Sequence, residues 1–145
     1  MNIEEIDSPL IVFGPNYSRF EFVRNIEQLT VTTQLGLKKG VVLNNIIVDS
    51  SGRTCKTIKA RKKRNYYPSW KFEFFNPVIY IELEVEQIKG EFDLADLKNR
   101  VLKIVKRDSN DNVGELRRLI EGARNHKELI SAIGKYVDPL EEEKK

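Results

Sequence analysis

Histidine and cysteine each occur once in this chain of 145 residues, as His126 and Cys55, and each scarcity excludes something. A single cysteine cannot close an intramolecular disulfide, which fits a reducing compartment. One histidine and one cysteine cannot supply a cluster of zinc ligands, so only a carboxylate metal site remains. Asp49-Ser50-Ser51-Gly52 opens like a calcium loop but lacks the further acidic ligands and the closing glutamate, so it reads as a turn. A nucleophile needs a base beside it, yet His126 falls in the first turn of a helix, where it reads as solvated, and Cys55 reads as a small strand residue without a redox role. Gly14, Gly36, Gly40 and Gly52 are scattered, without the spacing of a phosphate-cradling loop. No run approaches the 18 or so uninterrupted apolar residues of a membrane span. The opening Met1-Asn2-Ile3-Glu4-Glu5-Ile6-Asp7 is acidic where a signal peptide is basic. The expectation is a cytoplasmic, non-enzymatic protein with no cofactor, no metal and no membrane contact.

One further absence is local. Between Arg53 and Lys71 there is no acidic residue, while Arg53, Lys56, Lys59, Arg61, Lys62, Lys63, Arg64 and Lys71 are all basic. The whole chain sums to only +3, so the remainder is net acidic. The densest part runs into Tyr66, Tyr67 and Trp70. Such a stretch attracts phosphates, an acidic protein surface, or acidic strands of its own fold.

The pattern along the chain predicts one α+β domain over residues 1–140 and a frayed charged tail over 141–145. Pro9 to Gly14 reads as a buried strand and Phe20 to Val23 as its hairpin partner. Asn25 to Thr33 is ambiguous, and a short helix after Asn25 is favoured, although Thr30 to Thr33 has strand propensity. Leu35 to Gly40 reads as a loop by its glycines. Ile46 to Asp49 and Arg53 to Lys63 form two strands about a glycine turn. Ile58 and Ala60 share one face of the second, Thr57, Lys59 and Arg61 the other, and the strand is expected to leave the sheet near Lys62. Val78 to Ile88 alternates cleanly, with Ile79, Ile81, Leu83 and Val85 inward and Glu82, Glu84 and Glu86 outward. From Phe92 the chain is helical, with Asp93 as a cap and Leu94, Leu97, Val101, Ile104 and Val105 as a stripe. A second stripe holds Leu116, Leu119, Ile120 and Ala123. A third holds Leu129, Ile130, Ile133 and Val137, begun by an Asn125–Glu128 capping box and ended by Asp138-Pro139. The expected architecture is a small antiparallel sheet from the first ninety residues, with the C-terminal helices packed on its apolar face.

Two surfaces emerge as candidates for binding. The first is a basic loop, Arg61, Lys62, Lys63, Arg64, Tyr66, Tyr67 and Trp70, whose arginines and aromatics have the composition of protein-interface anchors. The same residues suit single-stranded nucleic acid, with cations on phosphates and rings stacked on bases. Trp70 equally suits the core, beside Lys71-Phe72-Glu73-Phe74-Phe75. The second surface is the acidic face of Glu82, Glu84 and Glu86, able to imitate phosphates against a basic nuclease. A purely structural alternative pairs Lys59 and Arg61 with Glu82 or Glu84 across neighbouring strands.

Val48-Asp49-Ser50-Ser51-Gly52-Arg53, then Phe75 to Glu84, then Asp96-Leu97-Lys98-Asn99-Arg100-Val101-Leu102 together resemble small bacterial proteins of the immunity type. Those neutralise a toxin encoded beside them, often one from a contact-dependent or other polymorphic toxin system. The resemblance implies no catalysis, a cytoplasmic location and a tight, specific protein partner: a toxin whose active or binding surface is occluded. It assigns no site residue.

Overall fold

The computed structural model describes residues 1–65, 77–88, 92–108 and 114–137. Six strands lie in one curled antiparallel sheet: β1 (Leu10–Phe13), β2 (Phe20–Val23), β3 (Val31–Thr33), β4 (Ile46–Asp49), β5 (Thr54–Asn65) and β6 (Val78–Ile88). Their spatial order is β2-β1-β4-β5-β6-β3. A short helix, α1 (Gln34–Lys39), follows β3. Three more, α2 (Leu94–Asp108), α3 (Gly114–Gly122) and α4 (His126–Val137), follow β6, so the fold is α+β with its long helices in the C-terminal part.

Alternation along the strands sends side chains to two cores. Ile11, Phe13, Ile46 and Val48 point to one face and meet Leu97, Val101, Leu116, Ile120, Leu129, Ile130 and Ile133 of the helices. Leu10, Val12, Ile47 and Cys55 point to the other face, where the curl of the sheet brings them together with Ile79, Ile81, Leu83 and Val85 of β6. Ile3 and Ile6, on a 3-10 turn at Ile3–Glu5, are part of that second core. Each fully buried leucine or isoleucine contributes roughly 1.5–3 kcal/mol. The helices therefore cover the β2-β1-β4 half of their face, and the charged residues of β5 and β6 continue that face into solvent.

Local rules explain most of the elements. Asn25 caps a 3-10 helix at Ile26–Leu29, with Gln28 bonding back to the backbone of the cap, and β3 follows directly, so Asn25 to Thr33 is both short helix and strand. Asp93 caps α2 by accepting from the Asp96 amide at 2.8 Å. Asn125 caps α4 through the Glu128 amide at 2.8 Å, while the Glu128 carboxylate reaches back to the Arg124 amide.

Several expectations change. Leu35 to Gly40 is not a loop: Thr33 caps α1 through the Gly36 amide, and Gly40 ends it in the left-handed region at φ 72°. The glycines there tolerate a helix because one is its C-terminal cap. Leu119 and Val137 are exposed rather than part of the core. His126 is not simply solvated: it is half-buried, its Nε2 lies 3.2 Å from the Phe92 carbonyl oxygen, and its ring lies against the Gly52 turn. Thr57 does not share the exposed face of Lys59 and Arg61, for the reason given below. Asp138-Pro139 and the 141–145 tail lie outside the described residues.

Candidate functional site: the charged β5–β6 ribbon

Each of the basic residues between Arg53 and Arg64 has a definite place. Arg53 is structural. Its Nε lies 3.0 Å from the buried carboxylate of Asp49, and its Nη2 reaches the Glu5 carbonyl at 2.8 Å and Asp7 at 3.3 Å. Asp49 also accepts from the amides of Asp7, Ser51 and Arg53, so the 49–52 segment is a carboxylate-centred turn. Gly52, at φ 93°, supplies the left-handed residue it requires.

Beyond Arg53, the expected loop is a strand. β5 stays paired with β6 through Asn65, so Arg61 to Arg64 belong to a ladder and do not leave the sheet at Lys62. Lys56 stands opposite Glu86, Lys59 opposite Glu84, and Arg61 opposite Glu82. Arg61 donates from Nε and Nη2 to one Glu82 oxygen. The guanidinium of Arg64 lies over the Tyr80 ring, 4.5 Å from its centroid. The basic stretch and the acidic face are thus two edges of one surface. Exposed pairs of this kind contribute about 0.2–1 kcal/mol each.

Two bulges set the register, one between Thr57 and Lys59 and one between Lys62 and Arg64. The first has a local cause. Thr57 is held inward because its hydroxyl donates to the Val42 carbonyl at 2.7 Å and accepts from the Asn45 amide at 3.0 Å. An extra residue, Ile58, then returns Lys59 and Arg61 to the side of the glutamates. Strict alternation from Ile58 cannot anticipate this, which is why Thr57 falls on the opposite side from the one its parity suggests. Ile58 itself is left 38% exposed. The second bulge releases Lys63. Among the described residues no lysine of β5 makes a side-chain ion pair or hydrogen bond, and Lys62 and Lys63 differ from Lys56 and Lys59 in having no glutamate opposite them in the ladder. Tyr66, Tyr67, Trp70 and Lys71 lie outside the described residues.

Next to the first bulge a groove of about 740 Å³ opens, lined by the apolar Met1, Leu43, Ile58, Ala60 and Leu83 and by the polar Asn2, Lys59, Arg61, Glu82 and Glu84. Residue-type patterning gives no signal for it, because Met1 and Leu43 come from segments that only the fold brings to the β5–β6 ribbon. Met1 arrives with Asn2 along the outer edge of β6, where the Val85 amide donates to the Met1 carbonyl at 2.9 Å.

Cys55 is buried between β4 and β6, and that burial, reinforced by the Asp49 carboxylate, pushes its thiol up. Arg53 acts in the opposite direction and is outweighed. Among the described residues no group of three or more His, Cys, Asp and Glu is placed to hold a metal ion, and no helix is long and apolar enough to cross a membrane. No protein-family model, curated protein or solved structure matches this chain.

Proposed function

We propose that this chain is a non-enzymatic protein-binding module that docks through the β5–β6 ribbon, and that it acts as a cytoplasmic immunity protein, occluding the working surface of a cognate toxin. The observation that carries the choice of a protein partner is the interleaving of Lys56, Lys59 and Arg61 with Glu86, Glu84 and Glu82. A phosphate backbone laid on this surface meets a carboxylate opposite Lys56, Lys59 and Arg61, which weakens the uniform attraction that nucleic-acid binding draws on. A protein surface can match both signs, and a fixed pattern of alternating charge favours one partner over others. The toxin assignment rests on the resemblance to immunity-type proteins.

The test is co-expression with the product of each neighbouring gene, alongside fluorescence anisotropy of labelled single-stranded RNA and DNA at two salt concentrations. Rescue of growth from a toxic neighbour, lost when Arg61 and Glu82 are both reversed, is the expected result. Absence of any toxic neighbour, together with tight RNA or DNA binding that collapses with salt, would overturn the reading in favour of a nucleic-acid-binding protein that uses the same basic stretch.

A further inference from the structure

The edges of the β5–β6 ribbon are finished differently. The outer edge of β6 is covered: β3 pairs with Val78 to Tyr80, Thr30 accepts from the Ile81 amide, and Met1–Asn2 lies against Glu84 and Val85. On its other side, β5 pairs with β4 only from Thr54 to Lys56, and the connection before β4 reaches no further than Thr57. From Ile58 to Asn65 the second edge of β5 has no backbone partner among the described residues. The groove reaches this edge at Leu43 and Ile58 and runs from there across Ala60 to Leu83 and Met1 on the β6 side.

We infer that this edge receives an extended segment of the partner protein as an added strand, with an apolar side chain entering the groove and an acidic side chain two positions away meeting Lys62. The inference rests on the protein-binding reading above and names the segment that reading requires. Ala60 and Lys62 stand on one side of β5, opposite Leu83 and Ile81, and successive same-side residues of a strand are about 7 Å apart. A paired strand repeats that spacing, so a side chain beside Ala60 enters the groove while its i±2 neighbour lies beside Lys62. Main-chain hydrogen bonds supply the pairing and alternate side chains the selectivity. Lysine and bulges are also the devices that keep an edge from joining its own kind. Here Lys62 and Lys63 repel the same edge of a second copy and attract an acidic segment, so the charge selects a different protein over self-association.

The experiment is an amide-resolved NMR titration of the full chain with the peptide acetyl-Thr-Leu-Thr-Glu-Thr-Glu-amide, its counterpart with lysine for glutamate, and a version N-methylated along one edge. The expected result is movement of the amides from Ile58 to Arg64, binding about fivefold tighter for the acidic peptide than for the lysine one, and loss on N-methylation. Lys62→Glu with Lys63→Glu reverses the preference, and Ile58→Ser weakens both peptides while leaving the rest of the spectrum in place. Absence of movement in these amides at millimolar peptide, or movement that N-methylation leaves intact, overturns the inference. If toxin rescue persists in the Ile58→Ser and Lys62→Glu variants, the added strand is wrong and the protein-binding reading stands. If single-stranded RNA moves the same amides and no peptide does, both fall.

Discussion

Arg53 Nε lies 3.0 Å from an Asp49 carboxylate whose side chain is only 1% exposed, and the same carboxylate accepts from three backbone amides. The turn between β4 and β5 is therefore organised around one buried charge. Asp49→Ala strands those amides and the guanidinium together, and a loss of about 3 kcal/mol is expected. Urea unfolding followed by circular dichroism checks it. The midpoint should fall without a change of slope, and Asp49→Asn should recover part of the loss by keeping some of the acceptors. A midpoint unmoved by Asp49→Ala would show that water replaces the carboxylate.

The thiol of Cys55 is raised from its ordinary value of 9.0 by burial first and by Asp49 second. The folded state thus holds the proton more tightly than the unfolded chain. Its contribution to stability is complete below the unfolded thiol pKa and is lost as pH rises through the folded one. In the native protein at pH 8, disulfide-exchange reagents should react only as fast as the structure opens, and in urea at once. Stability should decline above about pH 9, and Cys55→Ala should remove that part of the decline. Rapid native-state labelling would contradict the burial.

Elements whose periodicity is uninterrupted were legible without the fold. Glu82, Glu84 and Glu86 alternate with Ile81, Leu83 and Val85 in the structure as in the sequence. The caps at Asn25, Asp93 and Asn125 act where their residue types suggest. The α+β arrangement follows from the segregation of these patterns. The register of β5 was not legible, because it is fixed by two bulges, one of them set by the bonds of Thr57 to Val42 and Asn45. Ion pairing of Arg61 with Glu82 was an open alternative, since strand adjacency is a property of topology. The groove was invisible for the same reason: Met1, Leu43 and Ile58 are distant in the chain.

Gly134 of α4 packs against Phe22 of β2. A Cβ built there would lie 2.4 Å from Cζ of Phe22, too near for any side chain without a shift of the ring. Alanine in a helix is ordinarily favoured over glycine by about 1 kcal/mol. Here the clash outweighs that gain, and Gly134→Ala should destabilise by about 1–3 kcal/mol. Thermal unfolding of the single variant and of Gly134→Ala with Phe22→Leu checks this. The smaller side chain should restore part of the loss, giving a coupling of roughly 1 kcal/mol between the two positions. Additive effects would mean that the ring moves aside freely.

The Arg61–Glu82 pair separates stability from recognition. Both side chains are well exposed, at 80% and 45%, so their attraction is largely screened by water. Arg61→Glu with Glu82→Arg preserves the pair while inverting its polarity, and the expected change in stability is below about 1 kcal/mol. A partner that matches the pattern of charge meets two like charges in the inverted ribbon, so its affinity should fall by tenfold or more, chiefly through slower association. Surface plasmon resonance with the toxin identified by rescue measures both rates, and urea unfolding of the same variant supplies the control. Unchanged binding in a stably folded swap would place the interface elsewhere on the molecule. Lost binding that a compensating reversal on the partner restores would fix the orientation of the ribbon across it.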